Sequence, residues 1–334
     1  MNVLLSAVGR RAYLVEYFKD VVRPLGGRVY ATNTTPDATG FLAADESRIV
    51  PPSATKEYVD VMVALCKEWD VRLLFSLHDW DAPVLARAKD RFLAVGTIPV
   101  MGSPELLSIC LDKYMTVKSM ENIGVRCPKT VLSMEAALAQ IPFPMIVKPR
   151  WGQGSLGLFK VDDHDELESA VMLAEKSARN FAAVCPEIDV AQPQIVIQEH
   201  VSASEYGCDI VNDLAGRFHN AFIKRKFAMR SGETDAAESV ECPAIQKAAR
   251  RIAEWSCHLG CMDSDWFVPK DGDPILIELN PRFGGGYPFS HCAGVDVPLA
   301  CINWAMGKDN EDWCKNFRVG VRAFKDISMF VKTD

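Results

Sequence analysis

The residues with the clearest capacity for chemistry lie near the C-terminal end of the chain, in the segment PILIELNPRFGGGYPFSH (274–291). Glu278 and Asn280 are two residues apart on an apolar strand, so their side chains point to the same face. Arg282 follows two residues later, and Asp265 lies upstream in MDSDWFV, which is predicted to form the neighbouring antiparallel strand. Carboxylate and amide oxygens in this arrangement suit Mg²⁺ ions that bridge phosphate oxygens.

A hairpin with a solvated, charged rim would show a similar pattern. Glu278, however, interrupts an otherwise apolar strand. A carboxylate in such a strand is costly without a nearby cation. We therefore favour a metal site over a solvated rim.

A second candidate is a glycine-rich turn that follows a strand-end lysine. Lys148 ends the apolar strand PMIVKP, and Gly152, Gly154 and Gly157 come after it. Glycines allow a backbone to approach phosphates closely, and a lysine can neutralise their charge. The turn lacks the ending of a Walker A loop, so taken alone it is equally consistent with an ordinary hairpin.

The composition limits the classes of protein to which this chain can belong. The chain has 334 residues, enough for two or three subdomains, and its net charge of −7 without a basic run gives nucleic-acid binding little support. No apolar run reaches about 18 residues, so no membrane span is expected. The first residues, MNVLLSAVGRR, predict a buried strand and not a signal peptide. The 11 cysteines include no CxxC pair and fit reduced thiols, which predicts a cytoplasmic location.

The first hundred residues alternate strands and helices, which predicts a doubly wound parallel sheet. The predicted strands are NVLLSAV, RVYATN and RLLFSL. Ligands of such sheets bind at the carboxyl ends of the strands, where Arg10, Arg11, Asn33, His78 and Asp79 lie. A plain surface pair at a helix start explains Arg10 and Arg11 as well as a functional role does. The segment SAVGRR lacks the GxGxxG fingerprint, so a nicotinamide-dependent oxidoreductase is poorly supported.

From residue 101 the pattern becomes α+β. A single helix is predicted to begin at Ser103, as N-cap, and to end at Gly124. Further helices are predicted over 165–179 and 244–261, and the second of these would bury Cys257 and Cys261 as small residues. The remaining predicted strands are 195–201, 204–213 and 217–228.

Five features in one order resemble the ATP-grasp superfamily: a helix-borne Lys113, then VKPRWGQGSLG, IVIQEHVSASEYG, DSDWF and IELNPR. The resemblance covers the whole chain. It is closest to single-unit members that look like half of a carbamoyl-phosphate synthetase large subunit, or like amino-acid ligases. It implies an α/β fold, α+β in the second half, with an N-terminal doubly wound parallel sheet followed by a two-lobed ATP-grasp fold. The implied domains are 1–100, then 101–197 with the linker helix and small lobe, then 198–334 with the large lobe and metal site.

The resemblance also implies how ATP would be bound. Two lysines would contact the α- and β-phosphates, the glycine-rich loop would close over them, a hinge would read adenine, and Glu205 would hold the ribose. Within the hinge, Glu199 would meet the exocyclic amine and the backbone at Val201 a ring nitrogen. The implied ATP-binding residues are Lys113, Lys148, Gly152, Gly154, Ser155, Gly157, Gln198, Glu199, His200, Val201 and Glu205.

The implied metal ligands are Asp265, Glu278 and Asn280, holding two Mg²⁺ ions, with Mn²⁺ as the alternative. Arg282 would stabilise the transferring phosphoryl group, and Lys148 would share that catalytic role. The cationic segment 222–240 would face the γ-phosphate and the acceptor. Within it we expect Arg230 to grip an acidic substrate group, although a solvated strand face stays open as an alternative.

The function implied is an ATP-dependent carboxylate–amine ligase that works through an acyl phosphate and releases ADP and phosphate. Its partners would be small-molecule carboxylate and amine substrates, amino acids among them, and a second copy of the chain in a homodimer. A carbamoyl-phosphate-synthetase-like subunit that acts with partner chains stays open as an alternative. So does a non-catalytic ATP-binding sensor.

Overall fold

The computed structural model describes residues 1–152, 154–183, 185, 188–230, 232–270, 272–308 and 312–331. Their strands form three sheets: a five-stranded parallel sheet, a four-stranded antiparallel sheet and a six-stranded antiparallel sheet. The predicted fold class, α/β with an α+β second half, is confirmed. None of the helices in these ranges is long and apolar enough to cross a membrane.

The N-terminal sheet has helices on both faces, so its central strands are buried on both sides. On β1, Val3 and Leu5 pack with Phe18 in one core, while Leu4 packs with Met62 in the other. Its strands are β1 (Asn2–Ser6), β2 (Val29–Asn33), β3 (Glu46–Ile49), β4 (Val71–Ser76) and β5 (Ile98–Pro99), in the order β3-β2-β1-β4-β5. Its helices are α1 (Ala12–Val22), α2 (Thr39–Ala43), α3 (Tyr58–Glu68), α4 (Asp81–Arg87) and α5 (Lys89–Ala94). The sequence analysis missed β3 and β5, which are short strands at the two edges.

The predicted single helix after residue 101 is in fact two helices, α6 (Pro104–Leu111) and α7 (Lys113–Asn122). Ser103 caps α6 as predicted, since its side chain accepts a hydrogen bond from Leu106 N at 3.2 Å. Asp112 is extended and interrupts the helix, and its Oδ1 accepts from the backbone N–H of Tyr114 at 3.0 Å. The prediction was wrong because a buried partner 38 residues further along the chain, Arg150, holds Asp112. The break makes Lys113 the first residue of α7.

The small antiparallel sheet carries the glycine-rich turn. It contains β6 (Thr130–Val131), β7 (Met145–Pro149), β8 (Phe159–Val161) and β9 (Ile195–Glu199), in the order β6-β9-β7-β8, with α8 (Met134–Gln140) and α9 (His164–Ala182). Leu167, Ala170 and Ala174 of α9 pack with Val147 of β7 in one apolar cluster. This packing supports the strand that ends with Lys148 and Pro149.

The large antiparallel sheet has the order β14-β13-β10-β11-β12-β15. Its strands are β10 (Ser204–Asn212), β11 (Phe218–Arg230), β12 (Glu233–Val240), β13 (Gly260–Val268), β14 (Ile275–Asn280) and β15 (Arg322–Phe324), and its helices are α10 (Pro243–Ser256), α11 (Tyr287–Cys292) and α12 (Val297–Ala305). Helix α10 ends at Ser256 because Cys257 takes a left-handed conformation, with φ of 44°. The prediction of one helix over 244–261 was therefore wrong, since Cys257 is exposed and the buried Cys261 lies on β13. None of the 11 cysteines, all of which lie in the described ranges, forms a disulfide bond.

We predict that Asp112→Ala lowers the free energy of unfolding by about 3–5 kcal/mol, because it leaves the buried Arg150 guanidinium without a counter-charge. Arg150 donates Nε to Oδ1 at 2.7 Å and Nη2 to Oδ2 at 2.6 Å, and both side chains are less than a tenth exposed. Urea unfolding followed by tryptophan fluorescence measures the change. Asp60→Ala is the matched control, because its 2.7 Å pair with Arg91 is exposed and should contribute under about 1 kcal/mol. Equal effects of the two substitutions would contradict this account.

Candidate active site

A cleft of about 470 Å³ lies between the two antiparallel sheets. This volume lies within the usual range for small-molecule sites. Both sheets and the start of α7 contribute to its walls, so residues from across the second half of the chain converge there. The predicted site residues that line it are Lys113, Lys148, Gly152, Gly154, Ser155, Gln198, Glu199, His200, Val201, Glu205, Asp265 and Glu278.

Part of the cleft wall is apolar and comes from both sheets. Ile146 of β7 contributes from the small sheet, while Phe267 of β13 and Ile277 of β14 contribute from the large sheet. The segment 199–205, which joins β9 to β10, lines the same cleft. A space with apolar walls and an adjoining backbone segment can hold a flat heteroaromatic ring by dispersion and read its edge by hydrogen bonds.

Two lysines and a glutamate meet at the polar part of the cleft. Lys148 ends β7 and is buried, and this burial, together with the charge of Lys113, lowers the pKa of Lys148 to about 8. Lys113 Nζ donates to the carbonyl of Gly152 at 2.7 Å and lies 3.9 Å from Glu278 Oε1. Two ammonium groups that share one carboxylate leave a net positive charge, which suits an anion such as a phosphate.

The strand register brings the predicted metal ligands side by side. Asp265 of β13 pairs with Glu278 of β14, and Asp263 pairs with Asn280. No group of three Asp, Glu, His or Cys side chains that could hold a metal ion occurs within the described residues. Two carboxylates and one amide nevertheless fit Mg²⁺, because this ion is usually held by one or two carboxylates together with phosphate oxygens and water.

Lys226 of β11 connects the predicted metal ligand Asp265 with the predicted ribose contact Glu205. Its Nζ donates to Glu205 Oε1 at 2.7 Å and to Asp265 Oδ1 at 2.6 Å. Burial alone would lower the pKa of Lys226, but the charges of Asp265 and Glu205 and their hydrogen bonds hold it above its usual value. Lys226 therefore neutralises carboxylates that would otherwise repel each other.

A buried network lies beneath the carboxylates. Asp209 Oδ2 accepts hydrogen bonds from Lys224 Nζ at 2.5 Å and from Ser290 Oγ at 2.5 Å. Burial, with the charges of Asp265 and Asp209, raises the pKa of Asp263 to about 7. Gly284 packs directly on Asp263, since a Cβ at that position would lie 2.2 Å from Asp263 Cγ.

Arg282 joins the large sheet to the N-terminal sheet. Its Nε and Nη2 donate to Oδ1 and Oδ2 of Asp79, both at 2.7 Å. Burial opposes the charge on Arg282, but Asp79 holds the pKa of Arg282 above its usual value. Arg282 and Asn280 line a second, smaller cavity, which shares Lys113 and Glu278 with the main cleft.

Some of the predicted residues lie elsewhere. Arg230, at the end of β11, has a 54% exposed side chain and pairs with Asp235 at 2.6 Å. Gly157 takes a left-handed conformation, with φ of 75°, and packs on Ser177 of α9. Neither residue lines the cleft, so their predicted roles stay predictions. Gln153, inside the predicted phosphate loop, lies outside the described residues.

The sequence analysis placed Lys226 in a cationic run but did not single it out. The run KRK spans Lys224, Arg225 and Lys226, and the period of two along a strand puts the two lysines on one face. The structure agrees with this period, because both lysine side chains are buried while that of Arg225 is 41% exposed. The period therefore could have identified Lys226 as a buried cation of the run, next to the predicted metal ligand Asp265.

Two family models match different parts of this chain. Residues 3–100 match the family model for the PylC-like N-terminal domain, and residues 110–286 match the model for the ATP-grasp domain. The second match alone covers more than half of the chain.

Two curated relatives illustrate the similarity. D-alanine–D-alanine ligase from Streptococcus thermophilus is 30% identical over 209 residues, which cover 58% of this chain and 58% of that protein. Human carnosine synthase 1 is 28% identical over 194 residues, which cover 54% of this chain and 23% of that protein. The chain thus spans less than two thirds of the length of these relatives.

Solved structures show the same fold. L-amino acid ligase from Bacillus licheniformis superimposes with a TM-score of 0.71 at 20% identity. The superposition covers 95% of this chain and 77% of that one. It therefore includes all three sheets.

We predict that binding of MgADP weakens as the pH rises above about 8. Below that pH Lys148 is protonated, and its ammonium group can pair with a phosphate. Above that pH Lys148 must take up a proton before it can form this pair. Bound phosphate raises the pKa of Lys148, so affinity is level below about pH 8 and falls by up to about tenfold per pH unit above it. Isothermal titration calorimetry between pH 7 and pH 10 measures this slope.

Lys148→Gln should bind MgADP weakly and lose the slope. The control, Lys160→Gln, removes an exposed lysine that pairs with Asp162 outside the cleft, and should keep both affinity and slope. The assignment of Lys148 fails when Lys148→Gln retains the pH dependence.

Proposed function

The chain belongs to the ATP-grasp family, and we propose that it is an ATP-dependent, ADP-forming ligase that joins a small-molecule carboxylate to an amine. The observation that carries this proposal is the single cleft in which two lysines and two facing carboxylates adjoin apolar walls. Such a cleft suits one molecule with a flat ring at one end and phosphates at the other. The curated relatives include an enzyme named as a ligase of two alanines, which supports amino acids as substrates.

In this proposal the two sheets divide the recognition of Mg-ATP. Glu199 and Val201 would read adenine, Glu205 would hold the ribose, and Lys113 and Lys148 would contact the phosphates. Asp265, Glu278 and Asn280 would hold two Mg²⁺ ions, with Mn²⁺ as the alternative, and the bound metal offsets charge on the phosphates. Lys226 would then release Asp265 and face the γ-phosphate.

The proposed reaction has two steps because a carboxylate is a poor electrophile. In the first, a carboxylate oxygen attacks the γ-phosphorus and ADP leaves, which yields an acyl phosphate. In the second, an amine attacks the carbonyl carbon, phosphate leaves and the amine loses a proton. Gly152, Gly154, Ser155, Leu156 and Leu158 line the cleft, and their loop would exclude water from the acyl phosphate.

The proposal assigns one task to each part of the chain. Residues 1–100 would form the wall that meets the carboxylate, 101–197 would carry the phosphate loop, and 198–334 would carry the metal site. The ion pair of Arg282 with Asp79 supports a site that spans the first and third parts. A homodimer and a cytoplasmic location complete the proposal.

The test is ADP release from Mg-ATP with pooled amino acids and other small carboxylates, each with and without amines. We expect release to depend on one pool, and splitting that pool identifies the substrate. The absence of release from every pool, together with thermal stabilisation by Mg-ATP, would contradict the ligase activity and favour a non-catalytic nucleotide sensor or a subunit that needs partner chains.

Glu278→Gln should lower the rate of ADP release by at least about 100-fold, because it removes a carboxylate from the proposed metal site. Thermal unfolding without nucleotide should change little, since the amide is nearly the same size. Glu241→Gln, at an exposed position outside the cleft, is the matched control and should keep the wild-type rate. A Glu278→Gln protein with wild-type turnover would remove the metal assignment.

A further inference from the structure

The two adjacent arginines that follow β1 have different surroundings. Arg10 has an 86% exposed side chain and pairs with Glu233 Oε1 at 3.2 Å. Arg11 is mostly buried, and its Nη1 donates to the backbone carbonyl of Leu77, at the end of β4. The structure therefore separates a surface arginine from one that is turned into the protein.

Arg11 differs from Arg10 in its ion pairing. Within the described part of the chain, no carboxylate oxygen forms an ion pair with Arg11 at 4 Å or less. Both oxygens of Asp79 are bonded to Arg282. Glu233 is paired with Arg10 at 3.2 Å and with Lys325 at 3.6 Å.

Some of the charged groups that influence Arg11 are themselves cations. Burial first, and then the charge of Arg282, lower the pKa of Arg11, and these outweigh the opposing influence of Tyr13, Asp79 and Glu233. The charge of Arg11 in turn helps to lower the pKa of Lys325, after burial. A mostly buried guanidinium beside other cations is unfavourable unless an anion completes the site.

The position of Arg11 connects it to the small cavity beside the cleft. Arg11 donates to the carbonyl of Leu77, which lies two residues before Asp79. Asp79 pairs with Arg282, and both line the small cavity with Asn280 and Glu278. Glu278 lines the nucleotide cleft as well. An anion held near Arg11 and Arg282 would therefore lie beside the metal end of the cleft, where the proposed reaction needs its carboxylate.

We propose that Arg11 binds the ionised carboxyl group of the acyl-donor substrate, beside Arg282, and so selects small carboxylates. This inference rests on the proposed ligase function. The planar guanidinium offers two parallel N–H groups that match the two oxygens of a carboxylate, whereas a lysine offers a point charge. Arg10, on the surface, has no part in this recognition.

The first measurement is the KM of each substrate for ADP release, with a pool of the standard L-amino acids, acetate and succinate as the carboxylate source. Arg11→Gln should raise the KM of the active carboxylate by about 10- to 100-fold, the effect of losing a charged hydrogen bond, and should leave the KM of Mg-ATP within about twofold. Arg11→Lys should recover part of the loss. Arg10→Gln, the matched control from the neighbouring residue, should change neither KM by more than about twofold.

The second measurement is thermal unfolding without substrate. Arg11→Gln should unfold at the wild-type temperature or above it, because it removes an unpaired cation while its amide can still donate to Leu77 O. A merely structural arginine would give the opposite result. A lower unfolding temperature for Arg11→Gln, or an unchanged KM for the carboxylate, overturns the proposal.

The two measurements also separate this inference from the proposed function. When the wild-type chain releases ADP with one pool and Arg11→Gln does so with the same KM, the ligase stands and the role of Arg11 is wrong. When the wild-type chain releases no ADP with any pool, the proposed ligase function is wrong. The unfolding temperature of Arg11→Gln then tests whether Arg11 belongs to an anion site. Stabilisation by Arg11→Gln then supports an anion site, and destabilisation contradicts one.

Discussion

The pairing of β13 with β14 is the constraint on which the candidate site depends. The antiparallel register sets Asp265 opposite Glu278, and carboxylates at such a distance repel each other unless cations neutralise them. Lys226 contacts Asp265, and Lys113 approaches Glu278 from the start of α7. Strands β13 and β14 thus concentrate negative charge, and residues from β11 and α7 supply the positive charge that stabilises it.

Buried ion pairs also connect distant elements of the chain. Arg282 follows β14 and holds Asp79, which follows β4, while Asp112 holds Arg150 next to the end of β7. These pairs are mostly buried and have two hydrogen bonds each, so they fix direction as well as distance. They therefore position the N-terminal sheet and the glycine-rich turn relative to the carboxylates of β13 and β14.

Much of the fold could be predicted from the sequence because its elements have strong local patterns. The apolar runs of β1, β2 and β4, the Ser-Pro start of α6 and the alternation on β14 were all recognised and are confirmed. The break at Asp112 and the early end of α10 were not. Both depend on features that no local pattern contains: a partner 38 residues away for Asp112, and a left-handed Cys257 for α10.

The sequence by itself determined the fold class, the family, and the residue types that could hold phosphate and metal, because these follow from periodicity and from motifs of neighbouring residues. Only the tertiary structure decided which cations are buried. Lys226 is inside while Arg230 pairs with Asp235 at the surface, and Arg11 is turned inward while Arg10 is exposed. The physical reason is that the free energy of a charge depends on its burial and its counter-charges, and these come from residues far apart in the chain.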